Sequence, residues 1–293
     1  MTPWDQISKD ISKASGRPFE YSGHHGVGGG CISAAYELVS RDGRHCFVKT
    51  NRVDACDMFD AEAQGLVEMA ESHSITVPRA WCWGVAGNLA YLAMDYLPLG
   101  GSGSQAELGR QLAAMHRQGW ERYGWHRDNT IGATPQDNTP DDDWTEFWRE
   151  RRLGFQLQLA ASKGYGGRLQ GKGERLMAVF GALFDGYTPV PSLLHGDLWS
   201  GNYGFTRDGR PVIFDPATYY GDREADLAMT ELFGGFGTEF YAAYNEAWPL
   251  DSGYRIRKTL YNLYHILNHL NLFGSGYAAQ AERMMDQLLG ELA

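Results

Sequence analysis

The 293-residue chain is 43% apolar and 13% aromatic, enough to bury the core of one large domain or two modest ones, which excludes a disordered chain. Its 26 Lys and Arg against 36 Asp and Glu leave a net charge of −10, which repels a phosphate backbone, so nucleic acid is not an expected partner. The opening "MTPWDQISKD" has neither a basic nor an apolar leader region, and no stretch elsewhere has the apolar length of a membrane span, so the expectation is a cytoplasmic protein with no membrane partner.

In chain order, residues 4–15 read as a short helix. Then "GHHGVGGGCISAAYELVSRDGRHCFVKTN" joins a Gly-rich stretch to two apolar runs that meet at Arg41, Asp42 and Gly43, the pattern of a β-hairpin with a third strand. "DMFDAEAQGLVEMAES" carries Phe59, Leu66, Met69 and Ala70 at helical spacing, and Pro78 opens a strand pair that ends in "LAYLAMDYLPLGG". Residues 1–97 are therefore expected to form a small sheet with one main helix. "PLGGSGSQ" is the sharpest composition break, and a lobe boundary is placed near Leu97. "AELGRQLAAMHRQG" begins a mainly helical region, with further helices near 143–162, 172–185, 222–233, 238–246 and 254–272. "TPQDNTPDDD" (134–143) looks like a long surface loop. The four cysteines, Cys31, Cys46, Cys56 and Cys82, have neither C-x-x-C nor His-paired spacing and are expected to be reduced thiols.

"LLHGDLWSGN" holds the chemistry. His195, Asp197 and Asn202 fit H-x-D-x-x-x-x-N, a kinase catalytic-loop pattern with Gly where protein kinases carry Arg. Phosphoryl transfer to a hydroxyl needs a carboxylate to orient the nucleophile and take its proton, a role that suits Asp197. Five residues on, the Asn202 amide can reach a metal on the phosphates. An Asx-turn at a strand end is the alternative for the motif alone. In "PVIFDPATYYGD", the apolar strand Val212, Ile213 and Phe214 delivers Asp215 thirteen residues after Asn202, where a second metal-binding carboxylate belongs. Asp215-Pro216-Ala217 replaces the Asp-Phe-Gly of protein kinases, so no Phe-based activation switch is expected.

The nucleotide side is expected from the first lobe. "HHGVGGGCISAAYEL" has four glycines, Gly26, Gly28, Gly29 and Gly30, whose backbone N–H groups can approach phosphate closely; a plain hairpin turn is the alternative. Lys49 in "CFVKT" is placed to pair the phosphates, and Glu62 in "FDAEAQGL" to hold that Lys. Singly, each reads more readily as a solvated surface charge; the order of Gly loop, strand Lys, helix Glu, hinge, H-x-D-x4-N and Asp is what favours the paired reading. Met94, Asp95, Tyr96 and Leu97 form the expected hinge, with backbone groups reading the adenine edge.

The chain thereby resembles the fructosamine kinases (ketosamine-3-kinases), a branch of the aminoglycoside and choline kinase-like fold. "GGGCISAAYEL", "FVKTN", "FDAEAQGL", "LLHGDLWSGN", "GDREADLAMTELFGGF" and "LYHILNHLNLFG" carry the likeness and span nearly the whole chain. "HGDLWSGN" followed by "GDREADLAM" separates this branch from its aminoglycoside and choline relatives. The resemblance implies a two-lobed, protein-kinase-like α+β fold. Residues 1–97 would be the nucleotide-binding lobe, a small antiparallel sheet with one main helix, and 98–293 a larger, mainly helical catalytic and substrate lobe. It implies ATP and Mg²⁺ as cofactors, and phosphorylation of the 3-hydroxyl of a small-molecule ketosamine or a glycated protein. Phosphate on carbon 3 is a leaving group near the carbon 2 carbonyl, so the product would eliminate and release its amine, a deglycation or protein-repair outcome.

Other residues have two readings each. Trp199 suits stacking on the sugar or on the amine's carbon chain, with core packing as the alternative. Tyr261, His265 and Asn268 share one helical face that would look into the substrate cleft, though a lone His on a buried helix is also a hydrogen-bonded core residue. Asp222, Arg223, Glu224 and Asp226 open a helix and read as mostly structural, buttressing the catalytic loop. Cys31 lies in the glycine loop, where members of the family often carry Cys, and is either a redox-sensitive thiol or an inert small residue. Three other functions compete: a kinase of the same fold for an aminoglycoside, choline or other small alcohol; a non-catalytic ATP-binding scaffold; and a metal-dependent hydrolase. A scaffold would be expected to have lost one of Lys49, Asp197, Asn202 or Asp215, and a hydrolase to carry H-E-x-x-H or similar spacing. The sugar, the amine and the choice between monomer and homodimer stay open.

Overall fold

Thr2 starts the first helix. Its hydroxyl accepts from the Asp5 N–H at 3.2 Å while the Asp5 carboxylate accepts from the Thr2 N–H at 2.8 Å, and Pro3 occupies a position that needs no donor. This helix, α1 (Pro3–Ser15), stops at Gly16, whose φ of 69° is left-handed. The computed structural model describes residues 2–28 and 32–293, so Gly29, Gly30 and Cys31 lie outside the described residues.

The chain divides into two units, residues 1–104 with 201–216 and residues 105–200 with 217–293. The first contains a five-stranded antiparallel sheet of β1 (Tyr21–Val27), β2 (Ala34–Ser40), β3 (His45–Arg52), β4 (Ala80–Ala86) and β5 (Leu89–Asp95) in the order β1-β2-β3-β5-β4. Gly43, with φ of 81°, makes the turn between β2 and β3. Residues alternate along β3: Cys46 and Val48 bury against Ile7 and Ile11 of α1 together with Phe19, Leu38 and Tyr91, while Phe47 and Lys49 project from the other face. The helix α2 (Cys56–Glu71) buries Phe59, Ala63, Leu66 and Met69; Ala70, counted in that stripe from the sequence, is exposed in its last turn.

A hairpin of Tyr203–Phe205 and Pro211–Ile213 completes this unit. The N–H groups of Gly100 and Gly101 both donate to the Phe205 carbonyl at 3.2 Å, and the Ile213 N–H donates to the Thr76 carbonyl at 3.1 Å. A Cβ on Gly101 would lie 2.0 Å from the Thr206 carbonyl oxygen, so the two backbones pack as closely as glycine allows. Two continuous lobes meeting near Leu97 are what the sequence predicts. The observed division falls after Ser104 and returns 201–216 to the first unit, because "PLGGSGSQ" docks this hairpin rather than linking lobes.

The second unit is mainly helical: α3 (Gln105–His116), α4 (Trp144–Trp148), α5 (Phe155–Ser162), α6 (Arg168–Val179), α7 (Glu224–Leu232), α8 (Thr238–Ala247), α9 (Tyr254–Phe273) and α10 (Ala278–Glu291). The last lies beyond the final helix read from the sequence, although its buried Ala281, Met285 and Leu288 keep helical spacing. The single helix expected over 143–162 is α4 and α5 joined by a wider turn at 149–154. That turn carries Arg152 inward, stacked 4.6 Å from the Phe147 ring and 4.4 Å from the Tyr219 ring. Its guanidinium donates to the Asp137 carbonyl and to Asn138 Oδ1, each at 2.6 Å. The expected surface loop at 134–143 is thus corrected. Thr134, Gln136 and Asn138 are buried, and the polar groups of Gln136 and Asn138 accept from the Tyr264 hydroxyl and from Arg152. No helix among the described residues is long and apolar enough to cross a membrane.

Candidate active site

In the second unit, the strand Ser192–Leu194 pairs with Tyr219–Gly221 and delivers His195 into the interior. The backbone N–H groups of His195 and Gly196 donate to the Asp226 carboxylate at 2.7 and 2.8 Å. Gly196 has φ of 81°, and a Cβ there would lie 2.1 Å from the Ala217 carbonyl oxygen, so a larger residue would force the loop away. His195 Nδ1 then accepts from the Asp197 N–H at 3.2 Å, and the Trp199 N–H donates back to the Asp197 carbonyl at 3.1 Å. The turn leaves Leu198 buried, Asp197 half-buried and Trp199 exposed.

Asp226, on α7, is fully buried and also accepts from His116 Nε2 at 3.1 Å; the other ring nitrogen of His116 meets the Tyr244 hydroxyl at 2.8 Å. Burial would raise the Asp226 pKa, but the hydrogen bond and charge of His116, with His195 and the Gly196 N–H, outweigh it and hold the carboxyl below its ordinary range. The Asp222–Asp226 block is therefore structural, and Asp226 braces the His195–Trp199 turn through its backbone. His116 is a participant that sequence reasoning missed, because it pairs with Asp226 across 110 residues. Asp222 accepts from the Tyr261 and Tyr187 hydroxyls at 2.5 and 3.0 Å, and burial pushes its pKa up. Glu224 makes a two-point ion pair with Arg257 at 2.8 and 2.9 Å.

The first unit gathers another set. Lys49 Nζ donates to Glu62 Oε1 at 2.7 Å and also pairs with Asp215. β3 turns Lys49 away from the α1 side of the sheet, and the α2 stripe leaves Glu62 half-buried. Asp215 follows the strand Pro211–Ile213 with φ of 66°, an uncommon conformation for a residue other than glycine. The Phe214 N–H donates to the Asn202 carbonyl at 3.0 Å, and Asn202 Nδ2 to the Asp215 carbonyl at 3.4 Å. An amide oxygen with a carboxylate is a hard-oxygen donor pair, suited to Mg²⁺ completed by phosphate and water. Among the described residues no group of three or more His, Cys, Asp and Glu could hold a metal ion.

At Gly28, a Cβ would meet nothing within 4 Å. Met94 is paired between Phe47 and Ala80, and the Asp95 N–H donates to the Arg79 carbonyl at 3.0 Å. The Asp95 carboxylate accepts from Trp81 Nε1 at 2.8 Å. Leu97 accepts at its carbonyl from the Leu99 N–H at 2.8 Å, and the Tyr96 ring lies 5.5 Å from His45. Of the four expected hinge residues, Met94 and Asp95 thus use their backbone within the sheet. Among the described residues, Cys46, Cys56 and Cys82 are free thiols.

The expected polar stripe on α9 is packed inside. Tyr261, His265 and Asn268 are 0%, 5% and 3% exposed. Tyr261 accepts from Trp144 Nε1 at 3.1 Å besides donating to Asp222, and Asn268 donates to the Ile131 carbonyl at 3.3 Å. Burial, with His269 nearby, depresses the His265 pKa to about 3, so its ring is neutral. One turn on, His269 reaches the surface among aromatic rings, with Phe233 at 5.1 Å, and Phe233 lies 6.5 Å from Trp199. The i, i+4 spacing of the two histidines in "YHILNHLNLF" is the signal that could have found it.

A sequence model of the fructosamine kinase family matches residues 3–291. A Synechocystis protein named as a ketoamine kinase is 47% identical over 290 residues, covering 98% of this chain and 97% of its own. A chloroplastic protein-ribulosamine 3-kinase of Arabidopsis thaliana is 47% identical over 270 residues, 90% of this chain and 81% of its own. The crystal structure of a Haemophilus somnus protein assigned as a fructosamine-3-kinase superposes with a TM-score of 0.89 at 30% identity, covering 98% of this chain and 97% of its own. With a match from near the first residue to near the last, the chain belongs to the fructosamine kinase family.

Proposed function

We propose that this chain is an ATP- and Mg²⁺-dependent kinase, working in the cytoplasm, that phosphorylates the 3-hydroxyl of ketosamines, the fructosamine or ribulosamine adducts of amines and proteins. The relatives' names supply the acceptor class. The observation that carries the reading for this chain is Lys49 paired with both Glu62 and Asp215, with Asn202 bonded to the Asp215 backbone. In this reading Lys49 pairs the phosphates and Glu62 keeps it extended. Gly28, with Gly29 and Gly30, lets the backbone approach the phosphates, while the end of the Met94 to Leu97 hinge, beyond the sheet pairing of Met94 and Asp95, receives the base. Asn202 and Asp215 would hold Mg²⁺, which when bound supplies charge neutralisation on the transferred phosphate. Asp197, braced by Asp226, orients the sugar hydroxyl and accepts its proton. With phosphate on carbon 3, loss of a carbon 1 proton breaks the carbon 3–oxygen bond, and hydrolysis of the resulting imine frees the amine.

The test is ATP consumption with Mg²⁺ on ribulose-lysine, fructose-lysine, choline and kanamycin, with new phosphate esters followed by phosphorus NMR. A sugar 3-phosphate from the ketosamines is the expected product. Asp197→Asn should cut kcat by about 10²–10⁴ with little change in the KM for ATP. Turnover confined to choline or kanamycin would overturn the substrate class. A fully active Asp197→Asn would overturn its role.

A further inference from the structure

Cys46 of β3 pairs with Asp95 of β5, so both side chains lie on the face of the five-stranded sheet that α1 covers, opposite to Lys49. Where α1 ends, at Ser15, that face keeps a cavity of about 440 Å³. Its base is apolar, since Ile11, Phe19 and Cys46 are 3%, 4% and 2% exposed. Three guanidinium groups line the same cavity, and each comes from a different stretch of chain: Arg17 after α1, Arg44 at the entry to β3 and Arg79 just before β4. Arg79 stacks 4.3 Å over the Trp81 ring and Arg44 lies 5.7 Å over the Phe19 ring, so aromatic faces hold both forks in place. Arg44 is further fixed by Asp42 at 2.8 Å and by the Pro18 carbonyl. Among the described residues, the exposed guanidinium groups of Arg17 and Arg79 have no hydrogen-bonded or ion-paired partner. His45, also in the lining, is paired with Glu37 at 2.6 Å. Asp95 is the acidic side chain there, and its carboxylate already accepts from Trp81 Nε1 at 2.8 Å and from the Arg79 N–H at 3.3 Å. The cavity thus gathers positive charge on a chain whose net charge is −10.

We propose that this cavity is a binding site for a phosphate monoester with a compact apolar body, on the face of the sheet away from Lys49. The proposal does not depend on the ketosamine kinase reading. A phosphate dianion has three terminal oxygens and accepts from guanidinium forks that arrive from several directions, whereas a single fork already satisfies a carboxylate. Arg17 and Arg79 supply the uncommitted donors, and Arg44, held by Asp42, adds a fixed positive charge. The ester's carbon body lies on Ile11, Phe19 and Cys46, which gives the ester an advantage over inorganic phosphate.

The experiment titrates the full-length chain with phenyl phosphate, inorganic phosphate and benzoate and follows the nitrogen–proton NMR signals of its nine Trp indoles. The Trp81 signal, assigned by its loss in Trp81→Phe, reports on the cavity directly, because that indole lines it and donates to Asp95. We expect phenyl phosphate to shift this signal saturably, with a Kd about tenfold below those of inorganic phosphate and benzoate. Arg17→Gln and Arg79→Gln should each raise that Kd by about tenfold. Both side chains are exposed, so the melting temperatures should stay at the wild-type value. No saturable shift at Trp81, or a Kd that neither Gln variant changes, would overturn the site. Binding lost in Lys49→Met but kept in Arg79→Gln would place the anion on the other face of the sheet and overturn it equally. Benzoate bound as tightly as phenyl phosphate would overturn the assignment to phosphate esters, and inorganic phosphate bound as tightly would overturn the role of the apolar base.

Discussion

Asp226 shows how one buried carboxylate can set the position of another, Asp197, to which we assign the proton transfer. Its two oxygens take the N–H groups of His195 and Gly196, two and one residues before Asp197, so the loop that carries Asp197 is held by its backbone. Its depressed pKa is a stability statement with a definite sign. The contribution is complete above the unfolded carboxyl value of about 3.9 and is lost as pH falls through the lower folded value. Asp226→Asn should therefore be less stable than the wild type by about 3 kcal/mol near neutral pH, since it leaves His116 and one loop N–H facing an amide. Urea unfolding at a series of pH values checks this: the gap should be flat above about pH 5 and narrow below about pH 4. A gap that grows on acidification would refute it. At this scale the sequence speaks where residues recur at a chemical spacing, as in His195, Asp197, Asn202 and Asp215, the set to which we assign the catalytic and metal roles. It was silent about His116, because nothing local in "AAMHRQ" records a partner on α7.

Elements succeed or fail on what their faces meet. β3 was readable because the alternation of Cys46, Phe47, Val48 and Lys49 separates the α1 side from the Lys49 side in the sequence itself. α9 was readable as a helix but not as a surface, since Tyr261 and Asn268 have the polarity of a cleft and the burial of a core. Their partners, Asp222, Trp144 and Ile131, come from three separate stretches of chain. The hairpin that carries Asp215 was hidden for a similar reason, its anchor being the Gly100–Gly101 backbone. Gly101→Ala tests that anchor. A methyl group aimed at the Thr206 carbonyl forces the hairpin outward, and we expect a loss of about 1–3 kcal/mol of stability. Because Asn202 and Asp215 belong to the same segment, the Mg²⁺ concentration for half-maximal activity should rise several-fold. A thermal melt and a Mg²⁺ titration read the two effects; an unchanged Mg²⁺ requirement with a lowered melting temperature would separate the anchor from the metal residues.

Over the whole molecule, the α+β plan shared with the family's solved structure is built from two units that each use two separate stretches of chain. Composition marks a break at "PLGGSGSQ", but a cut in sequence cannot show that residues 201–216 return to the first unit. The consequence is thermodynamic. If the second unit unfolded while the first stayed folded, residues 105–200 would become a loop of 96 residues closed at both ends. Closing such a loop costs about 4 kcal/mol from (3/2)RT ln n, a sizeable part of the roughly 5–15 kcal/mol of a domain's net stability. The His195 carbonyl and Ala217 N–H, bonded at 2.8 Å, hold the ends of the shorter excursion in the second unit, so each unit lowers the closure cost of the other. Scanning calorimetry should show one transition whose calorimetric and van't Hoff enthalpies agree. A nucleotide with Mg²⁺ at about 100 times its Kd should add about 2.7 kcal/mol and move that transition as a whole. Two resolved transitions, with nucleotide shifting one alone, would mean that the units unfold independently and that loop closure does not couple them.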